Sequence, residues 1–146
     1  MAEKTKKEFI DIKEMKETVE KYANRSDIWF YIGVAKYDHD ENKKELYEKA
    51  LTDRGIGKNH HKDDKMESSP YKIFYTNAVS EEEGYKMEKD LIDKYKDRKG
   101  CVNSKAGQEK NDEDAKTNKV ILYLRLYKYD PETQGSRDDF QEKIRK

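Results

Sequence analysis

A single cysteine among 146 residues, Cys101, excludes an internal disulfide and suits a reducing compartment. An excess of charge of either sign is missing too: 32 basic residues face 32 acidic ones, so the formal net charge is zero. Such a chain exerts no global pull on a polyanion, and any nucleic-acid binding must come from a local basic patch. No apolar run approaches the ~20 residues that cross a bilayer, and the Lys- and Glu-rich start is not a signal-peptide pattern. The expectation is a soluble protein of the cytoplasm or nucleus with no membrane partner. Hydrophobic residues are scarce as well, 33% against 44% charged, which approaches a disordered composition. The balanced charge, the 11 tyrosines and clear periodic segments argue instead for one domain with a folded centre, charged solvated faces and loose ends.

Periodicity divides the chain. Phe9, Ile12, Met15, Val19 and Tyr22 recur at steps of three and four, predicting an amphipathic helix over 6–23 within an N-terminal helical extension (1–26). "DIWFYIGVAKYD" (27–38), "YKIFYTNAV" (71–79) and "KVILYLRLYKYD" (119–130) are rich in aromatic and β-branched residues and predict strands. Residues 43–54 fit either a helix or a second hairpin strand after the turn "HDEN". Residues 55–70 and 109–118 are polar and loop-like. A core over 27–107 would be followed by a linker, a last strand and a charged, partly helical tail over 108–146. The fold class expected is α+β, a small antiparallel sheet of three to four strands flanked by helices.

The most informative stretch is "SEEEGYKMEKDLIDKY" (80–95). Ser80 with Glu83 three residues on forms a capping box, so a helix starts there. Met87, Leu91, Ile92 and Tyr95 should face a core, and Glu88 lies on that same side. A lone Glu in so charged a chain would ordinarily snorkel to water or pair with a lysine. A buried carboxylate needs a partner, either a cation such as Arg54 or a hard metal ion.

With these residues in place the chain resembles the GIY-YIG nuclease family. The literal triplet "YIG" stands at Tyr31-Ile32-Gly33 and Arg54 follows it. The strand at Tyr71 leads into the Glu88 helix, and that helix closes with "GCVNSKAG". The resemblance covers residues 27–107 and is most specific from Tyr71 to Gly107. It implies a metal-dependent endonuclease that hydrolyses DNA phosphodiesters, with Glu88 holding one Mg²⁺ or Mn²⁺. Arg54 would neutralise charge growing on the phosphate, and Tyr31 would orient or deprotonate the attacking water. Asn103 would support the architecture or touch the phosphate. The family offers two tyrosines on neighbouring strands. Here either Tyr31 is the second of them, or "WFYIGVA" is the first strand and Tyr47 in "ELYEKA" supplies the second. His60 and His61 follow Arg54 where the family often carries a histidine; solvated loop histidines are an equal reading. A catalytically degenerate relative that only binds nucleic acid or a protein is the alternative, and an unrelated interaction module a third.

Residues 94–105 carry Lys94, Lys96, Arg98, Lys99 and Lys105 against one acid, Asp97, and form a candidate grip on a nucleic-acid backbone. Tyr123, Tyr127 and Tyr129 suit a sheet core better than base stacking. The strand at 119–130, if it lay at a sheet edge, would invite pairing into a homo-oligomer. His39, His60, His61 and Cys101 lack the close pair spacings of structural zinc, and Cys101 has the look of a small buried residue rather than a nucleophile.

Overall fold

The computed structural model describes residues 6–37, 66, 70–103, 113, 116 and 119–145. Within them lie β1 (Lys6–Phe9), α1 (Ile12–Ala23), β2 (Ile28–Tyr37), β3 (Lys72–Ser80), α2 (Glu81–Tyr95), β4 (Lys119–Lys128), α3 (Pro131–Gln134) and α4 (Arg137–Arg145). The four strands form one sheet in the order β1-β3-β4-β2. β4 runs antiparallel to both β3 and β2, whereas β1 runs parallel to β3. The class is α+β as expected, but the sheet is mixed rather than wholly antiparallel.

Two expectations need correction. The helix predicted over 6–23 begins only at Ile12, because Asp11 caps it by accepting from the N–H of Glu14 at 2.7 Å. The exposed residues before it, "KKEF", pair with β3 instead, so this segment builds the same sheet and core as the rest. The strand at 119–128 is not an edge. β4 lies between β3 and β2 with both of its rows of backbone groups engaged, which leaves none for another chain.

Side-chain parity splits the sheet into two faces. Phe30 and Ile32 of β2, Leu122, Leu124 and Leu126 of β4 and Phe74 of β3 face α1 and α2, which contribute Met15, Val19, Leu91 and Ile92. Each such buried side chain stabilises by about 1.5–3 kcal/mol through area removed from water. The other face carries Trp29, Ile73, Tyr75, Ile121, Tyr123 and Tyr127, with Phe140 and Ile144 of α4 over its Trp29 end. The charged tail is thus helical and packed.

Arg137 fastens that tail. Its guanidinium donates to the carbonyls of Ser26 and Ile28 and lies 5.2 Å from the centroid of the Trp29 ring. Trp29 Nε1 donates to Gln134 at 3.0 Å.

Candidate active site around Glu88 and Tyr31

α2 starts where the capping chemistry places it. Ser80 Oγ accepts from the N–H of Glu83 at 3.2 Å, and Glu81, Glu82 and Glu83 in the first turn suit the positive end of the helix. The helix comes unusually close to the sheet at Gly84, where an added Cβ would collide with Val120. That closeness sets the depth of the next turn, which carries Glu88.

Glu88 is half-buried and has neither a hydrogen bond nor an ion pair among the described residues. Burial without compensation pushes its carboxyl up from the ordinary range to about 7. It neither snorkels fully to water nor pairs with a lysine; Lys89 beside it pairs with Asp93 at 3.5 Å instead. One turn earlier, Tyr85 is half-buried, and burial followed by the charges of Glu81 and Glu88 pushes its phenol up.

Tyr31 leaves β2 on the face opposite α2 and packs among the residues around Tyr123 and Trp29. Its phenol is pushed up, first by burial and then by the charge of Glu88, while Arg125 pulls it down. The two residues therefore approach the sheet from opposite sides and still feel each other electrostatically. The guanidinium that acts on Tyr31 is Arg125, its register partner on β4, fully buried and donating from Nε to the Tyr127 hydroxyl at 3.2 Å.

Tyr31 does have a tyrosine on the neighbouring strand. β4 brings Tyr123 over Gly33, where a Cβ would come within 2.5 Å of the Tyr123 ring end; the Tyr31 and Tyr123 rings stand 6.4 Å apart. Neither sequence register anticipates this pairing, because Tyr123 lies some ninety residues further along the chain. Tyr127 of β4 is fully buried, and Tyr129 just beyond the strand packs on Trp29 at 5.5 Å, so both serve the core.

Asn103 is buried and clamps the YIG strand. It accepts from the N–H of Ile32 and donates to the Ile32 carbonyl, both at 2.9 Å, extending a short parallel bridge between Phe30 and Cys101. Its polar atoms are thereby committed to architecture. Residues 100–103 occupy the edge of β2 beside Phe30 and Ile32. Cys101 is fully buried.

Tyr47, Arg54, His60, His61 and Lys105 lie outside the described residues. Of the basic patch, Lys96 meets Asp93 and Lys99 meets Asp138, each at 3.9 Å. Lys94 and Arg98 instead lie over the Tyr95 ring, at 5.3 and 5.9 Å from its centroid.

Among the described residues Glu88 is the candidate donor for a divalent cation. Glu88 is a half-buried carboxylate with no counter-charge among the described residues, which a hard cation would satisfy. Among the described residues no group of three or more His, Cys, Asp or Glu side chains gathers around a common point, so water and substrate oxygens would fill the other positions, as Mg²⁺ prefers. No helix among the described residues is long and apolar enough to cross a membrane. No protein-family model matches the chain, and neither a curated protein nor a solved structure matches it.

Proposed function

We propose that this chain is a small metal-dependent endonuclease that hydrolyses DNA phosphodiester bonds at a single GIY-YIG-like site built around Glu88. The observation that carries the reading is Glu88 itself: a half-buried carboxylate on the sheet side of α2, with a pKa of about 7 and no protein partner among the described residues. An unpaired desolvated charge is costly, and at a site it is retained where it has something to bind.

Glu88 would hold Mg²⁺ or Mn²⁺. Such an ion supplies Lewis-acid polarisation of the phosphoryl oxygen and stabilises the leaving oxygen. A phenol is neutral near pH 7, and burial and Glu88 push Tyr31 further from ionising. Tyr31 stands on the sheet face opposite α2 and meets Glu88 through its charge alone, which makes it a neighbour of the metal site rather than the group that orients the attacking water. Arg125 biases the Tyr31 phenol electrostatically, and Asn103 fixes the backbone at Ile32.

Plasmid cleavage tests this. Cutting is expected with Mg²⁺ or Mn²⁺, none with chelator and none in a folded Glu88→Gln variant. Cutting that survives Glu88→Gln, or a folded wild type that never cuts, sinks it.

One observation favours a second reading, the degenerate domain that binds without cutting. Tyr31 stands on the sheet face opposite α2, and burial and Glu88 push its phenol further from ionising, so it supplies no base beside Glu88. Salt-sensitive DNA binding by a protein that leaves plasmid intact would select it.

A further inference from the structure

Arg137, Phe140, Gln141 and Ile144 recur at steps of three and four along α4 and form its inward face, while Asp138, Asp139, Glu142 and Lys143 are exposed. Phe140 and Ile144 pack with Trp29, Val102 and Tyr127. The two polar residues of that face reach backbone carbonyls of two different segments. Arg137 donates to Ser26 and Ile28 at the entry to β2, and Gln141 Nε2 donates to Arg98 at 2.8 Å and to Cys101 at 3.0 Å. α4 therefore spans the seam between β2 and residues 98–103. Gly100 shows how tight the seam is: a Cβ there would come within 2.6 Å of the Arg137 guanidinium and 3.0 Å of the Ile28 carbonyl.

Residues 100–103 are held on β2 as well. The Phe30 N–H donates to the Gly100 carbonyl at 2.8 Å, the Val102 N–H donates to the Phe30 carbonyl at 2.9 Å, and the Asn103 amide completes the row at Ile32. The segment thus has two attachments, the strand edge and α4. β2 itself keeps its whole register with β4, which involves neither. The seated helix also carries a cost, because Arg137 Nε is buried with no hydrogen-bond partner. The ion pair of Lys99 with Asp138, at 3.9 Å and exposed at both ends, adds little to hold it.

We infer that α4 is a strap with two states: seated, it holds residues 98–103 against β2; released, it frees that segment while the four-stranded sheet stays formed. A unit attached by a few side-chain-to-backbone bonds and one small apolar cluster opens at lower free energy than the sheet does. Seating closes the edge of β2. The backbone groups of Phe30 and Ile32 that residues 100–103 engage are, without them, a row of donors and acceptors open to any extended strand. Neither substrate nor metal takes part, so the strap stands or falls apart from the nuclease reading.

Cys101, the sole thiol of the chain and fully buried within this segment, reports its opening. The full-length protein is alkylated with iodoacetamide at pH 8 over a urea series below the unfolding transition, with far-UV circular dichroism recording complete unfolding alongside. Gln141→Ala is expected to speed alkylation about tenfold or more, since each of the two hydrogen bonds lost is worth roughly fivefold in an opening equilibrium. The rate in both proteins should depend on urea far less steeply than complete unfolding does, because little surface is exposed. Glu142→Gln, on the outward face of the same helix, should stay within about threefold of wild type. Equal rates in Gln141→Ala and wild type overturn the strap. So does alkylation that follows the urea dependence of complete unfolding, or an equal acceleration in Glu142→Gln.

Discussion

The side-chain amide of Asn103 replaces a strand: it accepts from the N–H of Ile32 and donates to the carbonyl of the same residue, at 2.9 Å each. Ile32 is the middle of the YIG triplet, so this clamp fixes the backbone between Tyr31 and Gly33. Asn103→Ala would leave two buried backbone groups unpaired, at about 1–3 kcal/mol apiece. A loss of about 2–6 kcal/mol in urea unfolding is expected. A change under 0.5 kcal/mol would mean water takes over both bonds.

Glu88 gives the protein a specific pH dependence. Its folded carboxyl titrates near 7 against an ordinary 4.5, so ionising it costs more in the folded chain than in the unfolded one. The favourable contribution is complete below pH 4.5 and disappears as pH rises through 7. At about 1.4 kcal/mol per pH unit, discounted for partial screening by solvent, that is about 1–2 kcal/mol. Glu88→Gln should therefore unfold at higher urea than wild type at pH 8 and at nearly the same urea at pH 5. A variant weaker at pH 8 would show that the carboxylate has a stabilising partner.

Divalent cations should reverse that balance. Binding must displace the proton from Glu88, so it strengthens with pH across this titration. With Mn²⁺ or Mg²⁺ at millimolar concentration, the wild-type melting temperature should rise at pH 8, rise less at pH 6, and stay fixed in Glu88→Gln. An equal rise in the variant would place the cation elsewhere.

Gly84→Ala inverts a familiar rule. Alanine in a helix interior normally gains about 1 kcal/mol over glycine. Here its methyl group meets Val120, the helix must lift from the sheet, and overpacking of this kind costs about 1–3 kcal/mol. Destabilisation in thermal or urea melts is the expected sign; stabilisation would show that α2 can ride higher without penalty. The double change with Val120→Ala should recover most of the loss.

The local elements were legible because their causes are local. Three strands announced themselves through aromatic and β-branched runs, and α2 through Ser80, Glu83 and its apolar stripe. β1 was illegible: "KKEF" has no strand pattern, and it is extended because β3 offers a parallel partner some sixty residues away. Partner choice was hidden for the same reason. Alternation told which side chains share a face, but nothing in it joins Tyr31 to Tyr123 or to Arg125 across nearly a hundred residues. Glu88 was found because a charge broke an apolar stripe. Arg125 breaks one too, in "LYLRLY", and a charge at the centre of a run that apolar was the signal available for it.

The central place of β4 has a consequence for synthesis. The strand that joins β2 to β3 is also the last of the four described strands in chain order, so the nascent chain carries two apolar ribbons that cannot yet meet through it. Folding must wait for the distal segment and then close several long loops at once, a slow step by the entropy of loop closure. Until then, Phe30, Ile32 and Phe74 are the kind of exposed surface that chaperones retain.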